Sequence, residues 1–261
     1  PLPRQDETDG ASVSIATDGA FVDPDGEPLT YRVVGLPDGL MIDAQTGRIT
    51  GQLASNASQQ GPDGNGTYRV TVTATDPSGA AHDESFVLSV ANRPVIANDD
   101  GGQVAQNDTT SGNVLANDAD TGPDNDPLSV VAINGDAEGI ATAVAGDNGG
   151  LFTIDADGSY IFDTNGAFTG LAAGETASTT VAYQVSDGQG STVTARLTVE
   201  VTGVNDTPNV VADLARQDVT DGETVSIATA DAFADPDNDT LRYTALGLPD
   251  GLAIDAATGV I

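Results

Sequence analysis

Apolar and polar residues alternate in short runs along most of the chain. A period of two is typical of β-strands with one buried face, because successive side chains of a strand point to opposite sides. No stretch carries a helical period of useful length. The alternation therefore predicts an all-β protein, with strands at residues 12–15, 30–34, 68–74, 86–90, 128–133, 151–154, 160–162, 179–185 and 193–201.

Turn sequences separate these runs. They read DPDG, LPDG, DGNG, DADG and SDGQG, and Asp, Gly and Pro are the residues that tight turns favour. Many short strands with turns between them predict antiparallel β-sandwiches. The 261 residues leave room for two sandwich domains of ordinary size and a remainder, in an extended tandem array.

An internal repeat divides the chain. Residues 4–49 and 216–261 align without a gap at an offset of 212, with 30 of 46 positions identical. A different unit lies between them, which predicts a first module at 1–93, a second at 94–206 and an incomplete third at 207–261. Because residue 1 already lies inside a repeat, we expect a piece of a longer protein. The later strands of the third module follow in that longer chain or come from another chain.

The charge balance narrows the classes of partner. The chain has 40 acidic and 8 basic residues, all of the latter Arg, for a formal net charge of −32. Such a chain repels nucleic acid and anionic membranes, and no apolar run is long enough to insert into a bilayer. High net charge is also a mark of disorder, but the ordered strand-like runs argue against it. Divalent cations are the obvious means of offsetting the self-repulsion.

The residue types argue against catalysis. With no Cys and one His, no nucleophile lies beside a general base. A glycosidase needs only two carboxylates, but carboxylates placed in the turns of repeated modules do not predict one cleft. The sequence therefore predicts a protein that is not an enzyme.

Repeated aspartates are the strongest local signal for a ligand. Calcium is a hard cation that takes oxygen ligands, whereas transition metals favour imidazole or thiolate. An Asp also forms turns without any metal, so only the recurring combination favours calcium. The motif Asp-x-Asp, which we place at strand ends, occurs as Asp23-Pro24-Asp25, Asp118-Ala119-Asp120 and Asp235-Pro236-Asp237.

Further acidic and amide residues accompany these motifs. Asp76 and Asp187 each come directly after a long predicted strand. The linkers between modules carry Asn205-Asp206 and, more weakly, Asn92. The loop with Asp120, Asp124 and Asp126 holds another ion or is simply an acidic surface loop; the sequence leaves both open.

These residues carry a family resemblance. The first and third modules resemble bacterial cadherin-like modules of the dystroglycan type, also described as Putative Ig domains. The second module resembles the VCBS-type repeats of giant RTX-type surface adhesins. The matching residues of the first module are Asp23, Asp25, Gly26, Leu29, Tyr31, Ile42, Asp43, Thr46, Gly47, Ile49, Tyr68 and Asp76. Those of the second lie at 97–100, 111–120, 157–160, 171–175, 185–190 and 203–206.

The resemblance implies calcium ions between successive modules. Asn205 and Asp206 would meet Asp235 and Asp237 at one junction. The implied ligands at the other junction are Asn92, Asp118, Asp120 and Asp187. Asp23, Asp25 and Asp76 would serve a junction with a preceding module. Asp99, Asp100 and Asp126 complete the predicted set. Arg93 stands where an Asp is expected, so we expect fewer ions than in animal cadherins.

The function implied is that of an extender. Calcium would rigidify a tandem region of a large secreted or cell-surface bacterial adhesin that acts in cell adhesion and biofilm formation. The alternative is a calcium-dependent module that binds polysaccharide or a like module on another cell. Sugar-binding surfaces usually expose aromatic rings, and the tyrosines here lie in strand patterns that predict burial, which favours the extender.

Overall fold

The computed structural model describes residues 1–122 and 125–261. Its regular structure is β-strands and single turns of 3-10 helix, so the all-β prediction is confirmed. Eight of the nine predicted strands lie within strands of the structure, and the ninth, 128–133, begins one residue before β12. Across 1–122 and 125–261, no helix has the length and hydropathy needed to span a membrane.

The first module is a β-sandwich of a four-stranded and a three-stranded sheet. The strands are β1 (Gln5–Thr8), β2 (Ser12–Ala16), β3 (Thr30–Val34), β4 (Leu40–Ile42), β5 (Arg48–Gln52), β6 (Thr67–Thr75) and β7 (Ala81–Ala91). The sheet orders are β1-β7-β6-β3 and β2-β5-β4. Strand β1 runs parallel to β7, with Gln5 opposite Leu88, while the other pairs are antiparallel.

The second module repeats this plan with longer central strands. Its strands are β8 (Val95–Ile96), β9 (Asp100–Ala105), β10 (Thr109–Asn113), β11 (Ala119–Asp120), β12 (Ser129–Ile133), β13 (Val144–Ala145), β14 (Leu151–Ile154), β15 (Ser159–Asp163), β16 (Thr176–Ser186) and β17 (Thr192–Thr202). The main sheets have the orders β12-β16-β17-β9 and β10-β15-β14-β13, and β11 pairs with β8. Strand β9 runs parallel to β17 as β1 does to β7, with Asp100 opposite Leu197.

Each module has its own core. In β6 the alternation buries Tyr68, Val70 and Val72 and leaves Arg69 exposed. One cluster of buried apolar residues runs from Val13 to Val90 and a second from Val95 to Val201. No residue belongs to both clusters, so each sandwich is packed around its own apolar centre.

The third module keeps the local structure of the first but few of its strands. Thr17 Oγ1 donates a hydrogen bond to the Gly47 carbonyl at 2.5 Å, and Thr229 Oγ1 donates to Gly259 at 2.6 Å. Its strands are β18 (Asn209–Val210) and β19 (Phe233–Ala234), which pair with each other. In the first module β3 is held by β6. The equivalent stretch 242–246 has no such partner within the described residues and forms no strand.

Because the cores are separate, a cavity in one should leave the other intact. Leu88 on β7 and Leu197 on β17 are both fully buried, each in the core of its own module. We expect Leu88→Ala and Leu197→Ala each to cost about 2–5 kcal/mol of unfolding free energy, confined to their own module. Hydrogen exchange measured by mass spectrometry on both variants checks this. Equal loss of protection in both modules from either substitution would contradict it.

Candidate metal sites

Three carboxylates converge at the start of the third module. One oxygen each of Asp235, Asp237 and Asp239 lies within 4.8 Å of the others. The turn that follows β19 builds the cluster: Asp235 Oδ1 accepts the backbone N–H of Asp237 at 3.0 Å and of Asp239 at 3.2 Å. Asn238 in this turn has a positive φ of 61°, a conformation that Asn tolerates better than most residues. The turn therefore places three negative charges together.

The linker and the second module complete this site. The backbone N–H of Asp206 donates to Asp237 Oδ2 at 2.7 Å. Gln106, which directly follows β9, donates from Nε2 to Asp206 Oδ2 at 2.7 Å. We call this group the second seam; it consists of Gln106, Asp206, Asp235, Asp237 and Asp239.

Two oxygens of the second seam are buried without a hydrogen-bond partner in the part of the chain that the structure describes. They are Gln106 Oε1 and Asp237 Oδ1. Gln106 is only 3% exposed and Asp237 9%. A buried polar atom without a partner costs about 1–3 kcal/mol, and more when it is charged. Converging acidic, amide-type and linker oxygens are the donor set of a hard divalent cation, so these residues fit such an ion.

Asn205 does not join the second seam through its side chain. It is exposed, and its Nδ2 donates to the carbonyl of the neighbouring Asp206 at 2.8 Å. Of the four residues expected here, the structure therefore brings together Asp206, Asp235 and Asp237. Their role as ligands remains a prediction.

The first module has a second group of three carboxylates. Asp23, Glu27 and Asp76 each place an oxygen within 4.8 Å of the others. Asp23 Oδ1 accepts the N–H of Asp25 at 2.8 Å and of Glu27 at 3.1 Å. The pKa of Asp76 is lowered, chiefly by the hydroxyl of Ser78, which donates to Oδ1 at 2.8 Å. Asp25 is exposed and lies outside this group.

The junction of the first and second modules, which we call the first seam, has a different composition. Asn92 Nδ2 donates to Asp187 Oδ2 at 2.8 Å, and Asp187 is 3% exposed. Asp120 Oδ2 accepts the N–H of Asp126 at 3.0 Å, while Asp120 Oδ1 is buried without a hydrogen-bond partner among the described residues. Asp124, which the sequence groups with this loop, lies outside the described residues.

Asp118 belongs to another cluster, inside the second module. Its Oδ1 accepts the N–H of Asn98 at 2.7 Å. Burial raises the pKa of Asp118, the Asn98 N–H opposes this, and the charge of Asp100 adds to it. Burial likewise raises the pKa of Asp100, whose Oδ2 accepts the hydroxyl of Tyr183 at 2.5 Å. Burial also raises the pKa of Tyr183, reinforced by its bond to Asp100.

Asp99 has a structural partner. Its Oδ1 accepts the backbone N–H of Arg196 at 2.8 Å, and the residue is exposed. The shared ligand role of Asn92, Asp118, Asp120 and Asp187 remains a prediction, and their hydrogen bonds in the structure differ. Asn92 bonds Asp187, whereas Asp118 is turned to the cluster with Asp100 because Asn98 fixes its carboxylate.

The placement of Asp-x-Asp at strand ends also needs correction. Only Asp235 directly follows a strand, the two-residue β19, while Asp120 is itself the last residue of β11. Asp23 is separated from β2 by the 3-10 turn Asp18–Ala20. In contrast, Asp76 and Asp187 directly follow β6 and β16, as the sequence predicts.

Sequence reasoning missed three members of these groups. Glu27 and Asp239 occupy equivalent positions in the two repeat copies, and both are acidic. The repeat alignment therefore contained the signal for them. No sequence signal identified Gln106, because it follows a strand whose sequence, DGGQVA, has little apolar alternation.

Models of two domain families match the chain. The model described as Bacterial cadherin-like domain matches residues 91–203, and the one described as Putative Ig domain matches residues 1–91 and 207–261. The second covers more than half of the chain. The chain therefore belongs to the Putative Ig domain family, with a bacterial cadherin-like domain between its two Putative Ig segments.

Individual relatives are similar over different spans. A protein named Calcium-binding lectin RapA2, from Rhizobium johnstonii, is 33% identical over 127 residues, which is 46% of this chain and 52% of that protein. The match thus spans about half the length of the relative. Mouse cadherin-23 EC22-24 is 19% identical, with 98% of this chain and 82% of that chain covered and a TM-score of 0.41. Human CDH23 EC21-23 is 16% identical, with 100% and 92% covered and a TM-score of 0.41.

The raised pKa of Asp118 predicts a pH dependence in the presence of a chelator. The penalty for burying its charge is full above the folded-state pKa and shrinks as the pH falls through it. The penalty is absent below the ordinary carboxyl pKa of 3.8. We therefore expect Asp118→Asn to be more stable than the parent chain at neutral pH, with an advantage that shrinks in acid. Urea unfolding over a pH series measures it.

Asp43 provides a control of opposite sign. Backbone N–H groups of Thr46 and Gln45 lower the pKa of Asp43. The stabilisation that Asp43 gives the folded state is therefore present above its ordinary pKa and is lost as the pH falls through its folded-state pKa. Asp43→Asn should therefore be less stable than the parent at neutral pH. If Asp118→Asn also lost stability there, the burial penalty assigned to Asp118 would be refuted.

Proposed function

We propose that this chain is a calcium-rigidified extender region of a large secreted or cell-surface bacterial adhesin. Its modules, bounded near residues 93 and 206, form a tandem array that calcium rigidifies. The second module is of the VCBS type found in RTX adhesins, and the whole protein serves cell adhesion and biofilm formation. The partners are calcium ions, neighbouring modules of the same chain and, through the longer protein, another surface. No catalytic role is part of this proposal.

One observation carries the proposal. At the second seam, two buried oxygens have no hydrogen-bond partner in the described structure: Gln106 Oε1 of the second module and Asp237 Oδ1 of the third. The linker residue Asp206 bonds both residues, since its Oδ2 accepts from Gln106 Nε2 and its N–H donates to Asp237 Oδ2. A cation there would bind both modules and the linker at once. The calcium-binding relative and the cadherin-like family match support calcium as that cation.

The mechanism is electrostatic. The net charge of −32 makes close approach of the modules unfavourable, and the carboxylates of the second seam concentrate that repulsion. Calcium would cancel it and supply six to eight coordination bonds. Gln106, Asp206 and Asp237 would hold the ion between them, so the linker angle would be fixed. Removing the ion would restore the repulsion and loosen the linker.

Chelation of calcium should therefore make the junction between modules more flexible and lower the stability of the folded chain. A site occupied at about 100 times its Kd stabilises the folded state by about 2.7 kcal/mol. We expect EDTA to lower the Tm and to widen the range of module angles seen in small-angle X-ray scattering, with both effects reversed by excess calcium. The calcium assignment fails if the Tm and the scattering curve are the same in EDTA and in calcium.

A pair of variants locates the effect. Asp237→Asn keeps a hydrogen-bond acceptor for Asp206 but removes one ligand charge, so it should weaken the response to calcium. Asp250→Asn removes the same charge from an exposed turn outside the carboxylate groups and should respond as the parent does. Equal responses of the two variants would exclude the second seam as the site.

The lectin relative favours a second candidate function, calcium-dependent binding of a polysaccharide. Exposed aromatic rings for sugar stacking are few, since Tyr31, Tyr68, Tyr160 and Tyr183 are all at most 9% exposed. The extender is therefore the better supported candidate. Binding to a matching module on another cell is the remaining alternative.

A glycan array, run with calcium and with EDTA, separates the two candidates. An extender should bind no glycan under either condition. Reproducible binding that requires calcium would instead assign the lectin function to this region. Sedimentation of the chain alone in calcium tests self-association, which an extender does not require.

A further inference from the structure

The two linkers carry opposite charges at the residue that follows their shared Asn, and the second linker is one residue longer. The first linker reads Asn92-Arg93-Pro94 and the second Asn205-Asp206-Thr207-Pro208. Arg93 therefore stands where the second linker has Asp206. The exchange turns one negative charge into one positive charge, a change of two units. Two units is the charge that one calcium ion would bring.

The structural positions of the two residues are also equivalent. Asp9 follows β1 and Gln106 follows β9, and the backbone N–H of each donates to the end of the module's last strand, at 3.1 Å to Ala91 and 2.8 Å to Thr202. Arg93 Nε donates to the Asp9 carbonyl at 3.0 Å. At the second seam, Asp206 Oδ2 accepts a hydrogen bond from the side-chain Nε2 of Gln106 at 2.7 Å. Each linker residue thus touches the base of the preceding module.

Arg93 also reaches the following module. Its Nη1 donates to the carbonyl of Thr121 at 3.4 Å, and Thr121 directly follows the second Asp of the Asp-x-Asp motif. One guanidinium therefore contacts carbonyl oxygens on both sides of the seam. Backbone carbonyls and carboxylates are the oxygens that calcium uses, and a guanidinium presents five donors in a fixed plane.

The loop opposite Arg93 leaves space for its side chain. Gly122 has a φ of +138°, and a Cβ there would overlap Arg93 Cδ and lie 2.6 Å from Nε and 2.9 Å from Cζ. Only glycine admits the guanidinium at this distance. Two further contacts close the seam: Asn92 Nδ2 donates to Asp187 Oδ2 at 2.8 Å, and Gln59 Nε2 donates to the Gln189 carbonyl at 2.6 Å.

We propose that Arg93 is a built-in cation that locks the first seam without a divalent ion, whereas the second seam needs one. The array then alternates a permanently stiff joint with a joint whose stiffness follows the calcium concentration. The calcium requirement of the second seam rests on the proposed function, whereas the role of Arg93 at the first seam does not. Loss of calcium would make the first two modules move as one rigid pair against the third.

Distance measurements between spin labels test the two seams separately in the full chain. The chain has no Cys, so labels attach only where cysteine is introduced. Met41→Cys with Ile161→Cys reports on the first seam, and Ile161→Cys with Leu246→Cys reports on the second. All three residues are exposed, at 69%, 57% and 98%. Double electron–electron resonance gives the width of each distance distribution.

In EDTA we expect the first-seam distribution to stay as narrow as in calcium and the second-seam distribution to broaden. Arg93→Gln should broaden the first-seam distribution in EDTA. Arg93→Asp should broaden it in EDTA and narrow it again in calcium, because it recreates the charge of the second linker. Arg69→Gln removes the same charge from the exposed face of β6 and should change neither distribution.

Gly122→Ala is an independent test, because the added methyl group displaces the guanidinium of Arg93 without removing a charge. This variant should broaden the first-seam distance distribution in EDTA. The proposal is overturned if, in the parent chain, EDTA broadens the first-seam distance distribution as much as the second-seam distribution. It is also overturned if the first-seam distribution of Arg93→Gln stays narrow in EDTA. A second-seam distribution of equal width in calcium and in EDTA would instead refute the proposed function. The role of Arg93 at the first seam would not be affected by that result. Circular dichroism of each variant verifies that the sandwiches are folded.

Discussion

Crowding of carboxylates where modules meet is the constraint on which the rest of this molecule depends. The sandwiches themselves are ordinary, each with its own apolar core. At their ends, a chain with a net charge of −32 brings acidic side chains together at the second seam, where two buried oxygens have no hydrogen-bond partner among residues 1–122 and 125–261. These atoms have almost no exposed surface, and a bound cation would offset the cost of burying them.

The chain supplies that charge in two ways. At the first seam an arginine contacts carbonyls of both modules, and an amide bonds the buried Asp187. At the second seam the equivalent linker residue is itself an acid, and the surrounding oxygens fit a divalent ion. The proposal is that this difference in linker charge makes the second junction, and not the first, depend on calcium. The array would then be stiff at one junction and respond to the calcium concentration at the other.

The sequence predicted the fold well where one face of a strand is buried. The alternation in β6, β16 and β17 is strong because these central strands bury every second residue. It failed for β1 and β9, which lie at sheet edges and read QDET and DGGQVA. Because Asp9 and Gln106 follow these two strands, the same failure hid two residues of the seams. Spacing alone did not reveal that the backbone N–H of Asn98 holds the carboxylate of Asp118.

The central claim is that a cation closes the second seam, and a high-resolution crystal structure grown in excess calcium tests it most directly. The account predicts anomalous density for one ion at about 2.3–2.6 Å from Gln106 Oε1 and Asp237 Oδ1, with Asp206 among its ligands. Well-ordered water alone between these oxygens, in crystals saturated with calcium, would contradict it.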